Sequence, residues 1–269
     1  MIPASFEYIK ASSVDHAIDL LAQHGDDAKI LSGGHSLIPA MKLRLNSPEI
    51  LIDIGRIPEL ESIVDLGDEI SVGANCTHDD IISSPLVRDQ LNVLAQTAET
   101  IGDLQVRNKG TIGGSLAHAD PAADYPAVVL ASEARVQVKG KGGQREIAAA
   151  DFFDGIYTTA LGSDEIITAI IFPKAGNGVY LKFPQPASRF AIVGCAAIKK
   201  GDGIRVGITG VADTAYRAKA VEEAYQGDVE AAAAHVVDGV EVMGDHFASS
   251  EYRSHLAKVF TARAIRALS

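Results

Sequence analysis

The sequence predicts an α+β protein in two parts. A strand of β-branched residues is stopped by Pro173, and the following residues 174–178 form a short, glycine-containing segment typical of a domain junction. After this junction three strand patterns precede three helical ones, which indicates an antiparallel sheet with helices on one side. We therefore expect a larger domain over residues 1–175. A smaller α+β domain with a three-stranded antiparallel sheet should occupy residues 176–269.

The first domain begins with a clearly marked helix. Ser12 or Ser13 can cap a helix that runs to about His24, and Gly25 is its stop signal. Apolar residues at 17–18 and 20–21 supply its buried face. Runs of β-branched residues bounded by turn residues predict the strands, and helical spacing predicts the other helices. The predicted strands are 28–31, 50–54, 62–65, 69–73, 134–139, 145–148 and 165–172, and the further helices are 77–83 and 91–101.

The second domain should be simpler. Its strands are predicted over residues 179–183, 190–199 and 204–211, and the last two are joined through a Gly-Asp-Gly turn. Helices are predicted near residues 218–226, 229–237 and 251–268.

Composition excludes several classes of function. The chain has 269 residues with 24 Lys or Arg and 35 Asp or Glu, and its net charge of −11 disfavours nucleic acid and anionic membranes as partners. No stretch of about 20 apolar residues occurs. The N-terminus has neither a basic region nor an apolar signal core, so we expect a cytoplasmic protein. Cys76 and Cys195 are too few for an iron–sulfur cluster or a structural zinc site, and we predict no metal site.

Two double-glycine loops are the most informative motifs. They read Ser-Gly-Gly-His-Ser at residues 32–36 and Thr-Ile-Gly-Gly-Ser at residues 111–115. Glycine permits positive φ and lets a ligand approach the backbone N–H groups, and successive N–H groups in such a turn suit a phosphate. Two such loops suggest a long ligand with a diphosphate that is held from two sides of a cleft. The sequence therefore predicts a dinucleotide-binding protein.

Neither loop fits the common nucleotide signatures. The Gly-x-Gly-x-x-Gly pattern and the Walker pattern are both absent, and Pro39 argues against a helix that begins before it. For one glycine pair alone, a plain tight turn is the alternative interpretation. The second loop continues into residues 116–126, a small, polar and turn-rich stretch that suits the lining of a narrow channel better than a packed core.

These motifs resemble those of a known family. The first loop continues as Leu-Ile-Pro-Ala-Met-Lys, the second is preceded by Arg-Asn-Lys-Gly at residues 107–110, and Asp-Pro-Ala-Ala-Asp-Tyr-Pro follows at residues 120–126. Together they resemble the FAD-carrying medium subunits of molybdenum hydroxylases, the carbon monoxide dehydrogenase medium chain and xanthine dehydrogenase FAD-domain family. The resemblance covers almost the whole chain. It implies an FAD domain of the vanillyl-alcohol-oxidase (PCMH) type, followed by the smaller α+β domain of the CO dehydrogenase flavoprotein type.

The resemblance also implies which residues contact the cofactor. The two loops would hold the diphosphate through backbone N–H groups and hydroxyls, and the carboxylates after the second loop suit ribose or ribityl hydroxyls. Similarity to xanthine dehydrogenase extends the set to positions outside the loops. The expected FAD contacts are Lys29, Ile30, Leu31, Ser32, Gly33, Gly34, His35, Ser36, Ile101, Thr111, Ile112, Gly113, Gly114, Ser115, His118, Asp120, Asp124, Ile167 and Lys182.

Several of these residues have a second interpretation. Ile101 and Ile167 fit ordinary core packing, Lys182 fits a solvated surface lysine, and His118 fits a structural histidine. In distant relatives a loop histidine is bonded covalently to flavin, but the resemblance here implies non-covalent FAD, with His35 as a polar contact. Phe190 aligns with a tyrosine near the flavin ring in carbon monoxide dehydrogenase, so a hydroxyl is missing at that position.

The resemblance implies an oxidoreductase subunit without a substrate site of its own. No catalytic constellation is readable in the sequence, and we assign no catalytic residue. Electrons would reach this FAD from a small iron–sulfur subunit, after chemistry in a large molybdopterin subunit, and pass to an external acceptor. Two alternatives remain open: a stand-alone flavin oxidase or reductase of the same fold, and a non-catalytic nucleotide-binding module. Metal and flavin content of the complex that the chain forms would distinguish them.

Overall fold

The computed structural model describes residues 1–268. The chain begins with a three-stranded parallel sheet of β1 (Glu7–Lys10), β2 (Ala28–Leu31) and β3 (Ile50–Asp53), with β3 between the other two. Helix α1 (Val14–His24) connects β1 to β2, and α2 (Leu37–Lys42) lies between β2 and β3. The first glycine loop therefore leaves the carboxyl end of β2.

A five-stranded antiparallel sheet follows. It contains β4 (Ile63–Asp65), β5 (Glu69–Gly73), β6 (Arg135–Gly140), β7 (Gly143–Ala148) and β8 (Ile166–Pro173), in the order β4-β5-β8-β6-β7. All six helices of this part come between β5 and β6 in the chain, and the second glycine loop is among them. They are α3 (His78–Ser83), α4 (Pro85–Gln90), α5 (Asn92–Thr100), α6 (Leu104–Arg107), α7 (Ile112–His118) and α8 (Tyr125–Ala131).

The C-terminal part has a four-stranded antiparallel sheet with helices. Its strands are β9 (Gly178–Pro184), β10 (Ala191–Lys200), β11 (Gly203–Thr209) and β12 (Tyr216–Arg217), in the order β12-β11-β10-β9. The helices are α9 (Lys219–Ala224), α10 (Val229–Ala233) and α11 (Ser250–Arg266). The predicted α+β architecture is confirmed, but the expected three-stranded antiparallel sheet is wrong by one strand. β12 has only two residues, too few to produce a periodic pattern.

Capping fixes the ends of α1 as the sequence predicts. The side chain of Ser13 accepts a hydrogen bond from the His16 N–H, and Gly25 adopts φ 54° with its N–H donating to the Leu21 carbonyl. The apolar face is buried against the parallel sheet. Two other expectations fail. Helix α2 begins at Leu37, before Pro39, because proline is tolerated in a first turn whose N–H groups need no intrahelical acceptor. Residues 112–118 form a helix rather than a loop.

The main hydrophobic core crosses the junction between the two parts. Tyr180, Ala196 and Ile198 of the C-terminal sheet pack in the same cluster as Ile70 and Val136 of the five-stranded sheet. A separate cluster lies between the C-terminal sheet and α11. Across residues 1–268, no helix combines the length and apolar character needed to span a bilayer.

Candidate functional site

The two glycine loops lie against each other. A Cβ on Gly33 would stand 1.9 Å from the carbonyl oxygen of Lys109, so only glycine allows the first loop to approach the segment before the second. The hydroxyls of Ser32 and Thr111 are 3.1 Å apart, which joins the first residue of each motif. The structure therefore brings together the two motifs that the sequence analysis singled out.

Asn75 anchors this contact, although the sequence analysis did not select it. Ser32 Oγ donates to Asn75 Oδ1 at 2.6 Å, and Asn75 Nδ2 donates to the Ile54 carbonyl at 2.6 Å. Asn75 is 5% exposed, so these bonds satisfy an amide that would otherwise be costly to bury. The available signal was a polar residue just beyond the apolar strand β5, which is too common to be specific.

The first loop presents a row of unused backbone donors. Within residues 1–268 the N–H groups of Gly33, Gly34, His35 and Ser36 have no acceptor, and Gly34 adopts φ 72°. Consecutive N–H groups in such a turn form a concavity for an anion, and phosphate is the group that commonly fills one. His35 is exposed, and its Nδ1 lies 3.1 Å from the Gly33 carbonyl oxygen. The loop thus has the chemistry that the sequence analysis assigned to it.

The second loop behaves differently, because its glycines form the first turn of α7. Thr111 caps this helix and accepts a hydrogen bond from the Gly114 N–H at 3.2 Å, while the Gly113 N–H donates to the Ala74 carbonyl at 2.9 Å. Both amides therefore already have an acceptor within the protein. What α7 can offer to a ligand is the hydroxyl of Ser115 and the bare Cα surface of Gly114.

The two glycines of α7 differ in why they must be small. A Cβ on Gly113 would lie 2.6 Å from the Cβ of Ala74, so protein packing alone requires glycine there. A Cβ on Gly114 would approach only the Thr111 hydroxyl, at 2.8 Å, and is otherwise in open space. Protein contacts explain Gly113, whereas Gly114 leaves space that a ligand can use.

The buried His78 contacts the residue that directly precedes the second loop. His78 is 4% exposed, its N–H donates to the Gly110 carbonyl, and its Nδ1 lies 3.0 Å from the Tyr125 hydroxyl. Burial, with smaller contributions from His35 and Arg107, lowers the pKa of His78 to about 4. The imidazole is therefore neutral at physiological pH and acts as a fixed spacer between α3 and α8.

Residues after α7 form a second polar group. Ala119 ends the helix in a left-handed conformation (φ 49°), and its carbonyl accepts the N–H of Tyr157, which is also left-handed (φ 54°). Asp120 accepts hydrogen bonds from the Tyr157 hydroxyl and the Ala122 N–H. The His118 ring packs on Tyr157 with centroids 5.0 Å apart, and burial lowers its pKa. Asp120 thus holds its own turn and keeps acceptor capacity for a ligand.

Asp124 and Lys182 form a buried ion pair. Their side chains are 6% and 4% exposed, and Lys182 Nζ lies 3.0 Å from Asp124 Oδ2. The other two ammonium hydrogens go to the carbonyls of Thr100 and Arg189, each at 2.8 Å, so Lys182 has no donor left. Tyr180 also donates to Asp124, and burial raises the pKa of this carboxyl. Lys182 is therefore not the solvated lysine of the alternative interpretation.

The remaining candidates are mostly apolar. Ile112 and Ile167 are buried in the main core, and Ile101 packs against that core while capping α5. Lys29, Ile30 and Leu31 form β2, which delivers the first loop. Phe190 is 43% exposed in the loop before β10, next to Arg189. Helix α7 and the turn after it connect the first glycine loop, which contacts Thr111, to the ion pair at Asp124.

A polar cavity of about 340 Å³ opens beside the contact between the loops. Its volume is within the usual range for small-molecule sites. The lining residues are Ser32, Gly33, Gly55, Glu61, Asn75, Thr77, Asp80, Asn108, Lys109 and Thr111.

Comparison with known proteins identifies the family. The family described as the FAD binding domain in molybdopterin dehydrogenase matches residues 4–175, and the CO dehydrogenase flavoprotein C-terminal domain matches residues 178–268. The chain belongs to this FAD-binding family. The family resemblance in the sequence analysis is thereby confirmed, as are FAD as the cofactor and the assignment to oxidoreductases.

Several relatives match along nearly their full length. The carbon monoxide dehydrogenase medium chain of Hydrogenophaga pseudoflava is 40% identical over 99% of this chain and 98% of its own. The glyceraldehyde dehydrogenase medium chain of Sulfolobus acidocaldarius is 36% identical over 99% of both. The solved structure of the Hydrogenophaga pseudoflava enzyme superposes with a TM-score of 0.96 at 42% identity, covering 100% of this chain and 98% of that one. These relatives are named as chains of multi-subunit dehydrogenases.

The residues present fit FAD on structural grounds. A dinucleotide needs donors for its diphosphate, and the first loop supplies four free N–H groups in a row. Its close approach to the backbone also needs a position where no Cβ stands in the way, and the open side of Gly114 provides one. Across residues 1–268, no group of three or more His, Cys, Asp or Glu side chains is arranged to hold a metal ion.

Proposed function

We propose that this chain is the FAD-carrying electron-transfer subunit of a heterotrimeric molybdenum hydroxylase. A small iron–sulfur subunit would supply electrons, a large molybdopterin subunit would oxidise the substrate, and an external acceptor would take the electrons from this chain. The observation that carries the proposal is the full-length match to medium chains of such dehydrogenases, together with the free amide row that suits a diphosphate.

Backbone N–H groups and side chains would hold different parts of the cofactor. FAD supplies the redox chemistry when it is bound, and the protein supplies binding, orientation and electrostatics. The N–H groups of Gly33 to Ser36 would bind the diphosphate, and Ser115 would add a hydroxyl. We propose the whole predicted set as the contact surface, with Gly113, Ile112 and Ile167 acting through packing and Lys182 acting through its bond to Asp124.

The cysteines support a division of labour between subunits. Cys76 and Cys195 are both buried, and burial raises the pKa of each thiol to about 12. Neither is a thiolate at neutral pH, and two separated thiols cannot hold an iron–sulfur cluster. In this proposal the clusters therefore belong to another subunit.

Three finer points belong to the same proposal. We propose that FAD is bound without a covalent link, since the His35 ring is turned toward the Gly33 carbonyl of its own loop. We also propose the division into domains of residues 1–175 and 176–269, which the glycine-containing junction in the sequence supports. A cytoplasmic location stays a prediction.

The composition of the purified complex tests the proposed function. When the chain is expressed with its natural neighbours and purified through a tag, we expect about one FAD per chain, with iron and molybdenum in the same gel-filtration peak. Acid precipitation should release the flavin into the supernatant. A chain that carries FAD without iron or molybdenum, and whose flavin is bleached by an organic substrate, would instead be a stand-alone oxidase.

A further inference from the structure

Two arginines from distant parts of the chain converge on one carbonyl oxygen. Arg107 Nη1 lies 3.3 Å from the Gly102 oxygen and 3.1 Å from the Ile101 oxygen, and Arg189 Nη1 lies 3.0 Å from the same Gly102 oxygen. Because both nitrogens touch one acceptor, they are separated by less than about twice a hydrogen-bond length. Two positive groups are thus held side by side.

Neither cation has an anionic partner in the part of the chain that the structure describes. No carboxylate oxygen of residues 1–268 lies within 4.0 Å of either guanidinium. Other arginines in this acidic chain do find carboxylates: Arg135 pairs with Glu69 and Glu146, and Arg145 pairs with Glu165. What distinguishes Arg107 and Arg189 is that two guanidiniums without a carboxylate share one carbonyl oxygen.

The fold fixes both side chains rather than leaving them free. Arg107 is the last residue of α6, and its two carbonyl contacts hold it against the end of α5. Arg189 lies in the β9–β10 loop with φ 63°, its N–H donates to Gln185, and its carbonyl accepts the buried Lys182 ammonium. A left-handed backbone at a non-glycine residue is sparsely populated and persists where neighbours enforce it.

Lys182, whose ammonium contacts the Arg189 carbonyl, differs from the two arginines in having an anionic partner. The Lys182 ammonium is paired with Asp124, and all three of its hydrogens are used. By contrast, the Nε and Nη2 donors of Arg107 and Arg189 have no acceptor within residues 1–268. A guanidinium presents its donors in a planar fork that matches the oxygens of a phosphate group.

From this geometry we propose that Arg107 and Arg189 form a phosphate-binding site at the Gly102 carbonyl. A phosphate between the two guanidiniums relieves their mutual repulsion and accepts hydrogen bonds from their free N–H groups. The phosphate can come from the diphosphate of the cofactor or from a separate phosphate-bearing molecule, such as an electron acceptor. The inference rests on the proposed function only for the first of these two sources.

Titration with inorganic phosphate at constant ionic strength tests the site. The complex is prepared with its flavin and, separately, after the flavin has been removed, and binding is followed by isothermal calorimetry and by the flavin difference spectrum. We expect saturable binding in at least one preparation. Arg189→Gln should weaken it at least about tenfold, and Arg189→Lys, which keeps the charge but loses the fork, should give an intermediate value.

The control is Arg263→Gln, which removes an exposed arginine on α11 without a carboxylate partner among the described residues. It should bind phosphate like the unmodified protein. Binding only after flavin removal, with weaker FAD retention in Arg189→Gln, identifies the cofactor as the source. Binding to the flavin-loaded complex identifies a separate ligand.

The proposal is overturned if phosphate binds to neither preparation, or if Arg189→Gln binds it as tightly as Arg263→Gln does. Arg107→Gln serves as a second variant, and its circular dichroism must match the parent because Arg107 also holds the end of α5. The FAD, iron and molybdenum content of the same preparations tests the proposed function separately. A complex with full cofactor content and no phosphate binding refutes the arginine site alone.

Discussion

Gly33 and Gly114 provide the sharpest test of the site, because the absence of a side chain is needed at each position for a different reason. In Gly33→Ala the new Cβ would lie 1.9 Å from the Lys109 oxygen and 2.8 Å from its carbonyl carbon. These are backbone atoms, so the two loops must separate by more than an ångström. In Gly114→Ala the new Cβ would meet only the Thr111 hydroxyl, at 2.8 Å.

The expected magnitudes follow from these contacts. Overpacking against fixed backbone costs about 3 kcal/mol, which corresponds to a fall in Tm of roughly 6–12 °C for a chain of this size. In Gly114→Ala the crowding of Thr111 is offset by the better helix propensity of alanine, worth about 1 kcal/mol, so Tm should change by less than about 3 °C. FAD affinity should nevertheless fall at least about tenfold in both variants. In Gly114→Ala the added Cβ enters the ligand's space, and in Gly33→Ala the displaced first loop no longer presents its N–H groups to the diphosphate.

Two measurements on the same preparations separate stability from binding. Circular dichroism against temperature gives Tm, and flavin absorbance of the gel-filtered complex, with reconstitution titrations, gives FAD affinity. Gly142→Ala is the matched control, because a Cβ there has no atom within 4 Å. If Gly114→Ala retains FAD as well as Gly142→Ala does, the open side of α7 is not a cofactor surface and the reasoning is refuted.

Two further predictions concern the ion pairs. Lys182→Met should destabilise the protein by about 3 kcal/mol in urea unfolding, because it leaves the buried Asp124 carboxyl without its cation, and a change below about 1 kcal/mol would contradict the pairing. Although burial raises it, the hydrogen bond to Lys200 and the charges of Arg217 and Arg205 lower the pKa of Glu133 from 4.5 to about 2. A lowered pKa stabilises the fold above the unfolded value, so the Tm difference between the parent and Glu133→Gln should be full at pH 7. It should shrink as the pH falls from about 4.5 towards 2, and a difference independent of pH would refute the assignment.

Local signals predicted much of the fold, and long-range contacts account for most of what was missed. The ends of α1 follow from Ser13 and Gly25, whose effects act within a single turn of helix. The glycine pair in α7 was taken for a loop because glycine has low helix propensity, whereas Thr111 three residues before Gly114 was a capping signal.

The site was predicted where sequence motifs are contiguous and missed where residues meet through folding. Both double-glycine motifs were found from their composition alone, although the second lies in helix α7. The bonds from Ser32 to Asn75, from His78 to Tyr125 and from Lys182 to Asp124 join residues that are 43 to 58 positions apart. No local pattern specifies such pairs, and family resemblance named Asp124 and Lys182 as cofactor contacts without indicating that they bind each other.

The turn between α7 and α8 is held mainly by the C-terminal sheet. Thr209 Oγ1 lies 2.9 Å from the Pro121 oxygen and 2.6 Å from the Ala123 oxygen, the Gly210 N–H donates to Pro121, and the Ala191 N–H donates to Ala122. A fragment that ended at the junction would leave three consecutive carbonyls without donors and expose the apolar surface of α8. The two family segments are therefore not interchangeable modules. If the C-terminal segment of another family member were grafted onto this chain, that segment would have to reproduce those donors for the turn between α7 and α8 to keep its shape.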